Sequence, residues 1–132
     1  MVIRNVSDEP MTPVSMPGVE GASMAVMVGR GDGAPNFAIR SFFVKPGGHT
    51  PRHAHDYEHQ VYVVAGEGTV LLGGCERPIR PGDVIYVPPN HEHQFRAAVP
   101  DDPDLLDQED TGLRFLCVVP VCRSCGEPTP GT

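Results

Sequence analysis

Two short stretches of this chain hold all six of its histidines, between positions 49 and 93. The first, GGHTPRHAHDYEHQVYVVAG from Gly47 to Gly66, carries His49, His53, His55 and His59. The second, GDVIYVPPNHEHQFRA from Gly82 to Ala97, carries His91 and His93. His53 and His55 sit two apart, so on an extended segment both rings face one way. His59 follows after the Asp56-Tyr57 turn, where a new strand begins, so adjoining segments can offer three imidazoles to one point. Imidazole is neutral near pH 7 and accepts zinc, iron, nickel, copper or manganese. A single histidine is ordinarily a solvated loop residue; this clustering argues against scatter. The expectation is that the two stretches meet in space and hold one metal ion.

The elements that must position these rings read as short strands. Fifteen glycines and fifteen prolines in 132 residues leave no room for long helices and suit tight turns. Residues 1–21 read as irregular, with one edge strand at Val2 to Val6. Strands follow at Ala22 to Gly29, Asn36 to Lys45 (ended by Pro46-Gly47-Gly48), His59 to Ala65 and Thr69 to Leu72. Further strands fall at Val84 to Val87, His93 to Ala98 and Leu113 to Val119. The His59 and Thr69 strands read as a hairpin around Gly66-Glu67-Gly68. Strands at this spacing with Gly/Pro punctuation predict a β-sandwich or closed barrel over residues 22–120.

The length fits one domain with a real core. A net charge of −7 argues against nucleic acid. No apolar run is long enough to span a membrane, and the N-terminus has no secretory h-region, so the cytoplasm is expected. The acidic segment at 100–112 reads as a solvated loop; it lacks the spacing of a calcium loop. In the tail, 121–132, Cys122 and Cys125 form a lone C-x2-C without the second pair a zinc knuckle needs, so free thiols are expected.

The two histidine stretches resemble the cupin motifs. Gly47-x5-His53-x-His55-x3-His59-x6-Gly66 is similar to G-x5-H-x-H-x3-E-x6-G. Gly82-x5-Pro88-x-Asn90-x2-His93-x3-Ala97 is similar to G-x5-P-x-G-x2-H-x3-N. Asn90 stands at a glycine position and also tolerates the left-handed region. Ala97 replaces an asparagine that is not a ligand. His59 stands where most cupins carry glutamate; neighbouring Glu58 would face the other way on a strand. With APNFAIRSFFVKPGG and FLCVVP, this resembles the four-histidine branch of small cupins.

The resemblance implies an all-β, double-stranded β-helix (jelly-roll-like) barrel, commonly a homodimer, with His53, His55, His59 and His93 as ligands. The implied ion is manganese or a similar divalent metal. Four neutral ligands leave its 2+ charge uncompensated, which favours an anionic, oxygen-chelating substrate. Alternation, with the resemblance, makes Val61, Phe95, Phe115, Cys117 and Val119 candidates for the pocket wall. Arg40 reads either as a carboxylate clamp beside the metal or as an edge arginine facing solvent. His49 and His91 read as rim residues, and Gln60 and Gln94 as candidates to hydrogen-bond the ligand rings. The expected activity is a dioxygenase-type oxidoreductase acting on a small molecule. A non-catalytic binding module and a metal-dependent isomerase or lyase are the alternatives.

Overall fold

A computed structural model describes residues 1–102, 104 and 111–121. Most of the acidic segment and both Cys122 and Cys125 therefore lie outside the described residues. Among the described residues, nine strands form one antiparallel sheet curled on itself: β1 (Thr12–Pro13), β2 (Glu20–Val28), β3 (Phe37–His49), β4 (His59–Ala65), β5 (Gly68–Leu72), β6 (Cys75–Ile79), β7 (Val84–Val87), β8 (His93–Ala97) and β9 (Leu113–Pro120). The strands hydrogen-bond in the order β6-β5-β8-β3-β9-β4-β7, with β2 on β3 and β1 on β2. This is the expected double-stranded β-helix.

Alternation along the strands builds the interior. Inward Val61 and Val63 on β4, Phe95 on β8 and Leu113, Phe115, Cys117 and Val119 on β9 join Phe42 and Val44 of β3 in one buried cluster. Phe115 stacks on Phe42 and Phe95, with centroids 5.1 and 4.7 Å apart. At roughly 25 cal/mol per Å² of apolar surface removed from water, such burial dominates the stability.

Three local expectations are corrected. Val2 to Val6 forms no strand; the pairing falls later, at β1. Arg4 instead pins this segment, donating to the Met27 carbonyl at 2.7 Å and to the Asp32 carboxylate at 2.8 and 3.0 Å. Pro46-Gly47-Gly48 does not end β3. Gly47 takes φ +77°, a bulge absorbs the offset, and pairing resumes at His49, opposite Glu20 on one side and Arg96 on the other.

Strands β4 and β5 are not a hairpin either. β4 pairs with β7 and β9, whereas β5 pairs with β6 and β8. Gly66, at φ +78°, turns the chain from one half of the barrel to the other, and its backbone lies against the Gly112 carbonyl with no room for a Cβ. The actual hairpin is β5-β6, turned at Gly73 and Gly74, both with positive φ.

Candidate metal centre

The continuation of β3 past its bulge delivers the first two histidines. Thr50 N–H donates to the Phe95 carbonyl, and His53 and His93 exchange both backbone hydrogen bonds, at 3.2 and 2.9 Å. That bridge sets His53 directly opposite His93, 40 positions later. Asn90 occupies the left-handed region at φ +65°, and its N–H donates to the His55 carbonyl at 2.7 Å. The second histidine stretch is thus laced to the first by main-chain bonds. His59, first residue of β4, enters from the adjoining strand.

The four rings pack together. Centroids are 5.0 Å apart for His53–His55, 4.9 Å for both His53–His93 and His55–His93, 4.3 Å for His55–His59 and 5.1 Å for His59–His93. Ligand nitrogens of His53, His55 and His93 all lie within 4.8 Å of one another, so these three could hold a metal ion. His59 Nε2 lies 2.8 Å from His55 Nε2. His59 and His93 are almost fully buried, His53 and His55 half-buried.

Protons are arranged to suit a cation. His93 Nδ1 is 3.0 Å from the His91 carbonyl, and His55 Nδ1 is 3.3 Å from the Tyr57 carbonyl. A carbonyl only accepts, so each Nδ1 carries the hydrogen and each Nε2 keeps its lone pair. His93 Nε2 is buried with no hydrogen-bond partner. An orphaned lone pair inside a barrel is costly unless something electrophilic meets it, so the donor set fits a divalent metal.

Burial, reinforced by neighbouring positive groups, pushes His55 down to about 4 and His59 to about 2. Burial also lowers His93. All three rings are therefore neutral and ligand-ready at pH 7.

Arg40, 0% exposed, does not face solvent, which removes the edge-strand reading. Its guanidinium donates to Cys117 Sγ at 3.7 Å and lies 5.3 Å from the Phe42 ring centroid. Its charge contributes to the lowered His55 and His59 values. Val61, Phe95, Phe115, Cys117 and Val119 point inward, as alternation with the resemblance implies, and all are buried in the core. Phe95 and Phe115 are packed there with Phe42, while Val119 also lines the open space on the Tyr57 side.

Open space adjoins the cluster on the Tyr57 side. A hollow of about 510 Å³ is lined by Phe37, Tyr57, Glu58, Gln60, Val118, Val119 and Pro120. Tyr57 stacks on His55 at 4.2 Å and separates hollow from rings.

Other candidates fall elsewhere. Gln94 donates to the Thr50 carbonyl and Gln60 is exposed, so backbone carbonyls take the place expected for these amides at His55 and His93. His49 lies against Thr50 and Gln94; His91 is exposed and contributes its carbonyl. Glu58 is exposed and accepts from the Tyr86 hydroxyl at 3.2 Å, facing away from the rings. Sequence reasoning missed the contact of His59 Nδ1 with Cys117 Sγ, at 2.9 Å. The only hint was the placing of both residues on inward faces.

A curled antiparallel barrel that gathers histidines from two separated stretches, three of them able to hold a metal ion, defines a class of β-barrels. A Cupin domain model matches residues 41–107, half of the chain, and the protein belongs to the cupin family. The polyketide cyclase RemF from Streptomyces resistomycificus superimposes with a TM-score of 0.79 at 29% identity, covering 96% of this chain and 84% of that one. A cupin 2 domain-containing protein from Halorhodospira halophila gives 0.68 at 34% identity, covering 83% and 72%. The 1-methylthio-D-xylulose 5-phosphate methylsulfurylase of Rhodospirillum rubrum is 33% identical over 81 residues, which are 61% of this chain and 46% of that protein. The chain spans about half the length of the curated relatives it matches.

Proposed function

We propose that the protein is a divalent-metal-dependent enzyme whose small substrate, such as a β-diketone, enediol or phenol, chelates through two oxygens. The resident ion in this reading is manganese, with iron, nickel, zinc or copper acceptable to the same donors. One observation carries it: four imidazoles cluster with centroids within about 5 Å of one another along the chain of contacts, and no carboxylate is grouped among them in the described residues. His53, His55, His59 and His93 would hold the ion.

When bound, an ion with four neutral ligands supplies Lewis acidity toward the two substrate oxygens. The chain's own residues do the rest. The His91 and Tyr57 carbonyls keep the His93 and His55 lone pairs aimed inward. Burial keeps the imidazoles neutral, so they serve as ligands and not as bases. Arg40, sealed below, acts through its field, which favours the deprotonated substrate without touching it. Tyr57 shields the side facing the hollow.

The reaction reading carried from the sequence is dioxygenase-type cleavage of a C–C bond. A second reading, ring closure or isomerisation without oxygen, is supported by two relatives named for a polyketide cyclase and a methylsulfurylase. The test is the manganese- or iron-loaded protein offered a panel of diketones, enediols and phenols, with oxygen uptake followed beside product formation under nitrogen. Uptake matched to product supports the dioxygenase. Product without oxygen selects the second reading. Binding with no turnover in either atmosphere would make the protein a small-molecule or metal-binding module. A homodimer in the cytoplasm completes the reading; no helix among the described residues is long and apolar enough to cross a membrane.

A further inference from the structure

Two of the candidate ligands are oriented by main-chain carbonyls, which almost any sequence can supply. His59 is different. Its Nδ1 faces a side chain, the sulfur of Cys117, at 2.9 Å. Arg40 Nη2 approaches the same sulfur at 3.7 Å. Arg40 of β3 stands directly opposite Cys117 of β9, and on the other side His59 of β4 lies two positions before Val61, the residue opposite Cys117 there, so its ring reaches the sulfur diagonally. His59 and Cys117 are each 1% exposed and Arg40 is 0%, so the three side chains meet away from bulk solvent.

The geometry poses a tautomer question. With His55 Nε2 holding a lone pair, the 2.8 Å contact from His59 Nε2 needs a hydrogen on His59 when no cation is present. His59 Nδ1 is then a lone pair, which the Cys117 thiol can meet with its S–H. A cation between the rings requires the opposite tautomer: Nε2 free, and the hydrogen on Nδ1. That hydrogen needs a buried acceptor, and Cys117 Sγ is the atom in position.

We infer that Cys117 is a positioning residue of the metal centre. Its sulfur accepts Nδ1–H of His59 and so selects the tautomer that turns the His59 lone pair toward the ion, while Arg40 holds the sulfur from the other side. Cys117 is not itself a ligand here: it stands at His59 Nδ1, the ring nitrogen turned away from the contact with His55. The inference rests on the reading of His59 as the fourth ligand.

The test compares C117S, C117A and C117V in the full chain, with C75S as an exposed-thiol control. Manganese affinity is measured by chelator competition, and ring tautomers by long-range proton–nitrogen NMR of the zinc-loaded protein. C117A should bind manganese about 10–100-fold more weakly than wild type, the usual effect of losing an outer partner of a ligand histidine. C117S, which keeps an acceptor, should recover much of that loss and retain the Nδ1–H pattern of His59. C117V adds bulk without an acceptor and should resemble C117A. Should C117V not fold, the alanine–serine comparison carries the result alone. Wild-type affinity and an unchanged His59 pattern in C117A would overturn the inference, as would equal losses in serine and alanine. Failure of the site reading shows separately: wild-type protein would then bind no manganese, or H93A would bind it as tightly as wild type.

Discussion

At the residue scale, the histidines are placed by main-chain bonds and kept neutral by burial. The first prediction concerns His93. H93A removes the buried Nε2 and should leave the purified protein without metal by elemental analysis, whereas H49A, outside the ring cluster, should retain it. Equal metal content in the two variants would refute the ligand assignment. The second concerns pH. His55, His59 and His93 have folded values below the ordinary 6.5, so below that pH the unfolded chain binds protons the folded one refuses. Stability from these groups is therefore complete above about 6.5 and falls away below it, the His55 share being lost by about 4 and the His59 share only toward about 2. Urea melts of the metal-free protein should show a lower midpoint at pH 5 than at pH 7; coincident curves would contradict the burial of these rings in neutral form.

At the element scale, strand identity and strand pairing have different causes. β4 and β7 agree residue for residue with the alternation and punctuation of the sequence, because those signals are local. The joining of elements was harder to see. Gly66 looked like a hairpin turn and is a corner between the two halves of the barrel, since the partners of β4 lie some twenty or more positions away. Pro46-Gly47-Gly48 looked like a stop and is a bulge, because β2 and β8 hold both sides of the strand beyond it. G66A tests the corner. The added methyl meets the Gly112 carbonyl at a positive φ, so thermal unfolding should show a loss of about 1–3 kcal/mol or more. G31A, whose Cβ would meet nothing within 4 Å, should stay within about 1 kcal/mol of wild type.

At the scale of the whole molecule, the outer face of β7, β4, β9 and β3 carries apolar side chains that the barrel leaves partly wet. Val84, 74% exposed, pairs across to Tyr62, which pairs to Leu116; Tyr86 leads through Gln60 to Val118 and Ile39. A contiguous apolar row is a costly surface for a solitary barrel. It is the face on which the proposed homodimer is to be tested. V84E combined with Y62E should convert a dimer to a folded monomer by sedimentation, with metal content unchanged. A wild type already monomeric at high concentration would sink the dimer.

The strand rhythm was legible in the chain because glycine, proline and i,i+2 alternation act over a few residues, and the spacing of the two histidine motifs pointed to the family. The same periodicity gave the inward faces of β4 and β8 once the histidines were taken as inward; on β9 both faces are apolar, and alternation left the choice between Phe115, Cys117 and Val119 and the opposite face to the family resemblance. It took the folded sheet to show that Arg40 is sealed inside, that Phe42, Phe95 and Phe115 pack together in the core, and that Cys117 meets His59. Those contacts join residues tens of positions apart, and the curl of the sheet, which no local pattern encodes, is what brings them within reach.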